Sequence, residues 1–482
     1  MAFARILKSS ALMGGASVLV LAAGFFRTKA IALMVGPEGV GLAGTLVNFN
    51  GVLAMAAGWG LATAGVRTVA AADPSEKAAK MAAVRWLGIR LSWVGLLAMA
   101  VLFWPVGLWT FRPEERHILE LGLAGLAVPF LVAAGMWGAL LQAGGHLRVL
   151  AVTQVLAAFA GLLVGLPLIY VCHRAGHSLL GVALGILVAT GGPALLSWWS
   201  ARRHCPATGV PVDRRLVREL LHLGGALMGV GLLFQLSQYV GRWVVLREFG
   251  LESAGHYQAA LAIASSLPGF VFAAMATDFF PRVAAAKDEA EARQLVEKQI
   301  QAGLLLALPV LAALLTMGHA CIHLLYASDR FDPAIPLLSW MVWGVFLRLV
   351  SWPMGFWLQA RGSTPLVLTV ELVANLVLAL LPLLLVGPFG LVGAAVAFVA
   401  GGLAYALLMN LVMRWRTGRW LGGRTFAWSL AAAAALGLAQ WSAAAVGGGY
   451  WGLFPTGLLT LLCASVYYLT MRREERRAIP QP

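Results

Sequence analysis

Six cations fall inside stretches that are otherwise apolar enough to cross a bilayer: Arg27, Lys29, Arg67, Arg90, Arg242 and Arg348. An arginine or lysine at bilayer depth costs roughly 2.5–3.5 kcal/mol on insertion scales, so it faces a cavity, meets a partner or snorkels to a headgroup layer. Arg27 and Lys29 stand two residues apart, about 200° around a helix, and cannot both point the same way. Arg348 lies mid-span in MVWGVFLRLVSWPMGFW, where snorkelling is least practicable. Arg67 and Arg90 sit near span ends, where Arg67 reads equally as the inner mouth of a cavity or as a topology signal. Cations lining a cavity imply an anionic ligand, and a diphosphate suits them because guanidinium forks hold phosphate oxygens in bidentate pairs. Glu371 and Asn375 are i and i+4 on one helical face. They read either as a proton or sodium site coupled to transport, or as an interhelical hydrogen bond or ion pair, with Arg348 the candidate partner. His319 and His323 have the same spacing, which permits metal binding. No carboxylate or third histidine accompanies them closely, so they read as polar helix ends or cavity lining, and no metal is expected.

The elements that carry these residues follow from composition. The chain has 482 residues, 60% hydrophobic and only 11% charged, with a mean hydropathy of +0.83. Soluble domains do not reach such values. Apolar runs long enough to cross about 30 Å of hydrocarbon recur from residue 10 to residue 470, about fourteen in all, the last two at 427–446 and 450–470. Backbone groups must satisfy themselves in lipid, so the expected fold is an all-α polytopic membrane protein. The basic start MAFARILKSS leads into a run that holds Arg27 and Lys29 and lacks a small-residue cleavage site, which marks a retained span rather than a signal peptide. Four unpaired cysteines suggest neither a disulfide framework nor a metal site. The net charge of +15 reflects topology rather than nucleic acid. Most cations occupy alternate loops, while the opposite loops hold only Arg112, Arg116, Arg174, Arg247 and Arg330. The positive-inside rule then places both termini in the cytoplasm.

The chain also matches itself. GPEGVG at 36–41 meets GLESAG at 250–255, and the same shift of 214 sets TVAAAD at 68–73 on RVAAAK at 282–287. LQAGGHLRVLAVTQVL at 141–156 meets LQARGSTPLVLTVELV at 358–373. These matches predict two six-helix repeats around a central cavity: residues 1–200, a basic cytoplasmic linker at 201–219, and residues 220–415. Two additional helices at 427–470 and a cytoplasmic tail at 471–482 follow. The shift puts Arg242 opposite Thr28, so the first helix of each repeat carries a cation at nearly the same depth. Parallel repeats of this kind suit alternating access around a midplane site. The charged stretches 73–85 and 287–298 read as interfacial helices with a solvated face.

No ATP-binding, zinc-protease or serine-hydrolase motif is present. A membrane-embedded glycosyl- or acyltransferase would want acids or histidines in an extracytoplasmic loop, and FRPEERHI at 111–118 is the one short candidate. A drug antiporter would want carboxylates in its cavity, where this sequence puts cations.

A cation on the first span followed by GPEGVGLAGTLVNFNGVLAMAAGWGLATAGVRTVA resembles the Wzx-type polysaccharide flippases of the multidrug/oligosaccharidyl-lipid/polysaccharide exporter superfamily, in particular translocases of O-antigen and enterobacterial-common-antigen precursors. GFFR also resembles the first-helix motif of lipid II flippases, which keeps a peptidoglycan-precursor flippase as an alternative. The two final helices depart from the twelve-helix Wzx pattern and resemble the fourteen-helix members. The resemblance implies a flippase in the bacterial inner membrane that moves undecaprenyl-diphosphate-linked oligosaccharide to the periplasmic leaflet, surrounded by membrane lipids. It also implies a polysaccharide polymerase and a chain-length regulator as partners, no nucleic acid, and no cofactor beyond a coupling proton or sodium ion. By that carry-over Arg27 or Lys29, with Arg242 and Arg348, would hold the diphosphate, and Arg67 would join the substrate-binding set at the inner mouth.

Overall fold

In a computed structural model the described residues are helical and contain no strand. They are residues 2–205, 211–362, 364–445, 456–458, 461 and 465, with side chains from Met13 onward except those of 226, 230, 267–268, 270–278, 280–281, 364 and 443. The helices are α1 (Ala2–Val35), α2 (Pro37–Gly58), α3 (Leu61–Ala70), α4 (Lys77–Thr110), α5 (Ile118–Gly125), α6 (Val128–Ala143), α7 (Leu147–Arg174) and α8 (Ser178–His204). After them come α9 (Arg214–Ala284), α10 (Glu289–Thr316), α11 (Gly318–Tyr326), α12 (Ala334–Arg361), α13 (Thr364–Thr417) and α14 (Gly423–Ala445). A short 3₁₀ turn, Asp329–Phe331, precedes α12.

Ten helical stretches among the described residues, one of them Ile118–Ala143 across α5 and α6 and none of them α14, are long and apolar enough to span a bilayer. Two of them are bent pairs. α9 passes through Gly250, whose backbone is not helical, and so holds two apolar runs of the sequence, 220–246 and 256–280. α13 does the same at Gly390 for 365–387 and 390–413. α14 occupies the expected 427–446. The expected span 450–470 and the tail 471–482 lie mostly outside the described residues. The stretches 73–85 and 287–298 are not separate interfacial helices: α4 and α10 start there and continue unbroken into their spans. α10 starts where it does because Asp288 accepts the Glu291 N–H at 2.7 Å while the Glu291 carboxylate accepts the Lys287 N–H at 2.8 Å. This reciprocal cap is coded by D-x-x-E.

The chain divides into two compact units. The first comprises Met1–Gly255 with Tyr326–Ser328. In it α7 packs on α8 and α1, and α6 packs on α4, α3 and α8, around a core that includes Leu61, Val84, Met136, Trp137, Leu140 and Leu141. The second comprises His256–Leu325 with Asp329–Pro482, where α12 packs on α13 and α10, and α10 on α14. The division thus falls inside α9, beyond the 201–219 linker, because the first part of α9 is tied to the first unit at both ends. Near its start the Trp59 indole donates to the Leu221 carbonyl at 2.9 Å. Near Gly250, Arg112 donates to the carbonyls of Arg247 (2.9 Å) and Glu248, and Arg247 donates to that of Phe111 at 2.6 Å.

Backbone geometry repeats where the sequence does. Gly36 has φ 82 and ψ −162, and Gly250, 214 residues on, has φ 81 and ψ −176. Only glycine adopts that conformation readily. Gly176 and Gly390, also 214 apart, have φ of 82 and 61. A Cβ on Gly41 would collide with the Leu251 carbonyl, and one on Gly255 with the Pro37 carbonyl. The shift carries Gly41 onto Gly255 and Pro37 onto Leu251, so this backbone-to-backbone contact is its own image.

Candidate functional site

Arg67 is placed by a break in the second span. Trp59 and Gly60 both take left-handed φ (49 and 63), which ends α2 and restarts the chain as α3 against α9, with Gly224 packed on the Trp59 carbonyl. The guanidinium of Arg67 then opens onto a recess of about 600 Å³ shared with Arg215, Arg218, Glu219, His222 and Leu223 from the first turns of α9. All four basic side chains there are exposed. Three guanidiniums against one carboxylate leave the recess cationic, suited to a phosphate arriving from water. Sequence reasoning singled out Arg67 but treated Arg215 and Arg218 only as linker charge. Their convergence depends on the Trp59–Gly60 break, which the pattern of apolar residues does not reveal.

Arg27 and Lys29 lie on α1 and Arg242 on α9, all half-buried and all in the first unit. Between the two α1 cations, Thr28 turns its hydroxyl back to the Gly24 carbonyl at 3.0 Å, a bond that leaves the helix intact. The three side chains stay partly accessible within spans.

In the second unit a separate cluster forms where α12 meets α13. Arg348 interacts electrostatically with Glu371 and Tyr405. The Tyr405 hydroxyl lies 3.4 Å from Glu371 Oε1 and donates to it. Asn375 donates to the Glu371 backbone carbonyl at 2.8 Å and reaches its Oε2 at 3.5 Å. Arg348 is crowded by protein yet keeps exposed surface. The cluster thus joins Arg348 to the Glu371–Asn375 pair and adds Tyr405, which sequence reasoning missed. Its only signal was a phenol inside an apolar span, and Gly355 makes room for the hydroxyl against α12.

Several polar groups in and just beyond the loop FRPEERHI hold it to neighbouring segments. Glu115 accepts the Leu251 N–H at 3.1 Å, Arg112 is spent on α9 carbonyls, and Glu120 pairs with His117 at 3.6 Å. The charge of 287–298 is likewise not a purely solvated face. Glu289 binds Arg361 (3.1 Å) and the Trp357 indole (2.9 Å), and Glu297 accepts the Gly422 N–H at 2.9 Å.

The profile of a family described as "Polysaccharide biosynthesis protein" matches residues 30–336. The chain is 23% identical over 295 residues to a Shigella flexneri protein named "Putative O-antigen transporter", covering 61% of this chain and 69% of that one. It is 23% identical over 429 residues to the Lipid III flippase of Escherichia coli (strain K12), covering 85% of this chain and 99% of that one. Among solved structures, the Lipid II flippase MurJ in an inward closed conformation superposes with a TM-score of 0.72 at 14% identity, over 95% of this chain and 99% of that one.

Proposed function

Because the chain belongs to the polysaccharide biosynthesis protein family, we propose that it is a flippase for lipid-linked polysaccharide precursors, a transporter and not an enzyme. The observation that carries this reading is the alignment with the Lipid III flippase over 99% of that protein's length, together with cations held inside spans at Arg27, Lys29, Arg242 and Arg348. On this reading the cargo is an undecaprenyl-diphosphate-linked oligosaccharide, an O-antigen or related repeat unit, moved from the cytoplasmic to the periplasmic leaflet of a bacterial inner membrane. The diphosphate enters by the Arg67 recess and is held by Arg27 or Lys29, Arg242 and Arg348, because guanidinium–phosphate pairing strengthens away from bulk water. Glu371 and Asn375 couple the cycle to a proton or sodium ion. Both termini face the cytoplasm, the repeats 1–200 and 220–415 rock against each other, and the helices of 427–470 are additions to that core. A polymerase and a chain-length regulator act on the delivered product.

Reconstitution tests this directly. Proteoliposomes containing the full chain are given undecaprenyl-diphosphate carrying defined oligosaccharides, lipid II included, and the fraction moved to the opposite leaflet is measured. Translocation of an oligosaccharide-linked lipid, with at least a tenfold loss in Arg27→Ala, Arg242→Ala or Arg348→Ala, is expected. Movement of lipid II alone would replace the cargo assigned here, and transport indifferent to all three substitutions would remove the cationic site.

A further inference from the structure

The histidine pair of α11 does have carboxylates beside it, brought there by the fold. His319 and His323 lie one turn apart with ring centroids 4.2 Å apart. α11 ends at Tyr326, and Ala327 takes a left-handed φ of 51. The reversal carries the 3₁₀ turn back over the helix, so that Asp332 Oδ1 sits 2.8 Å from His323 Nε2 and Asp329 Oδ1 sits 3.5 Å from His323 Nδ1. One ligand atom from each of His319, His323 and Asp332 lies within 4.8 Å of the others. Tetrahedral zinc, with bonds of about 2.0–2.2 Å, places its ligands roughly 3.4 Å apart, so side-chain rotation of about an ångström closes the set.

The turn that presents the carboxylates is fixed. Phe331 is fully buried, His256 Nε2 lies 2.8 Å from the Arg330 carbonyl, and the Asp332 N–H donates to the Asp329 carbonyl at 3.0 Å. The same groups can take a cation in place of the 2.8 Å hydrogen bond between His323 Nε2 and Asp332. A neutral imidazole has one N–H, so it can donate to Asp329 or to Asp332 but not to both. If Nδ1 donates to Asp329, the lone pair of Nε2 faces the Asp332 carboxylate, and only a proton or a metal ion relieves that opposition. His319 adjoins with a further nitrogen lone pair, which a metal ion uses and a proton does not. Asp329, 3.5 Å from the far nitrogen, stands where metal-bound histidines ordinarily have a carboxylate partner that fixes ring orientation and raises ligand basicity.

We propose that His319, His323 and Asp332 bind a divalent first-row metal ion, zinc above all, with Asp329 as the positioning residue and water in the fourth place. Two imidazoles and one carboxylate with an open position form a borderline-soft set of the kind zinc takes. The ion ties α11 to the turn that starts α12, and it does so whatever cargo the protein moves. The test uses the full chain in detergent, prepared without a polyhistidine tag, stripped with EDTA and titrated with zinc, with bound metal counted per chain. Cobalt replaces zinc in a second titration, because its visible bands report tetrahedral coordination. One ion per chain and cobalt bands in the tetrahedral range are expected. Affinity should fall at least tenfold in His319→Gln, His323→Gln and Asp332→Asn, and about 10–100-fold in Asp329→Asn. His204→Gln, which removes a histidine elsewhere that lies near His146, should bind as the wild type does. Failure of the stripped wild-type chain to take up zinc or cobalt at tens of micromolar overturns the proposal without recourse to any variant. Uptake that His319→Gln and His323→Gln leave unchanged overturns it too.

Discussion

Arg348 and Glu371 each carry a charge that lipid would penalise, and each has the other as an electrostatic partner. Removing one leaves its partner uncompensated, which costs more than removing both. Arg348→Met and Glu371→Gln should therefore each lower the unfolding midpoint of the purified protein. The double variant should lose less than the sum, with a coupling of about 0.5–3 kcal/mol. Additive effects would mean that the two side chains do not act as a pair. This cluster was half legible in the sequence: a charge inside an apolar span stands out against its neighbours, whereas Tyr405 is one aromatic among many. The partners of His323 were hidden for another reason. Asp329 and Asp332 come back over α11 only because Ala327 adopts a left-handed backbone. Alanine rarely does so, and no glycine or asparagine announces the turn.

At the scale of helices, the repeat makes a sharper statement than the positions of the spans. Gly36 and Gly250 share a conformation in which a side chain costs about 1–3 kcal/mol. Gly36→Ala and Gly250→Ala should therefore destabilise the protein by similar amounts. Gly41→Ala should also destabilise, since its Cβ would strike the Leu251 carbonyl, and overpacking of this kind costs typically 1–3 kcal/mol. Gly437→Ala in α14, where a Cβ meets nothing within 4 Å, should be neutral or slightly stabilising, because alanine favours helix over glycine by up to about 1 kcal/mol. Melting temperatures of the four variants in one detergent check the order. The glycines were visible as matched letters in GPEGVG and GLESAG. The bends at Gly250 and Gly390 divide α9 and α13 each into two helices, one for each apolar run. What the sequence concealed was the join of 287–298 to the span that follows it: an apolar run ends where polar residues begin, while hydrogen-bonded turns continue past that point, although Asp288 and Glu291 write the helix start in plain capping chemistry.

Over the whole molecule the charge of +15 is a matter of distribution. Asp213, Arg214, Arg215 and Arg218 stand at the head of α9, directly after α8, while Arg174 and His177 stand at the other end of α8, in its turn from α7. A helix of 27 residues, Ser178–His204, rises about 1.5 Å per residue and so exceeds the roughly 30 Å of hydrocarbon. With α8 as a span, the two groups lie on opposite sides of the bilayer, and the topology proposed above puts the arginine-rich 202–218 end in the cytoplasm. Introduced cysteines read this out on a background with Cys172, Cys205, Cys321 and Cys463 replaced by serine. In right-side-out vesicles from a bacterial host, Arg174→Cys should react with a membrane-impermeant maleimide, and Asp213→Cys should react only after permeabilisation. The reverse pattern would invert the topology. It would also turn the Arg67 recess, which shares Arg215 and Arg218 with that end of α9, from an entrance for a cytoplasmic diphosphate into an exit.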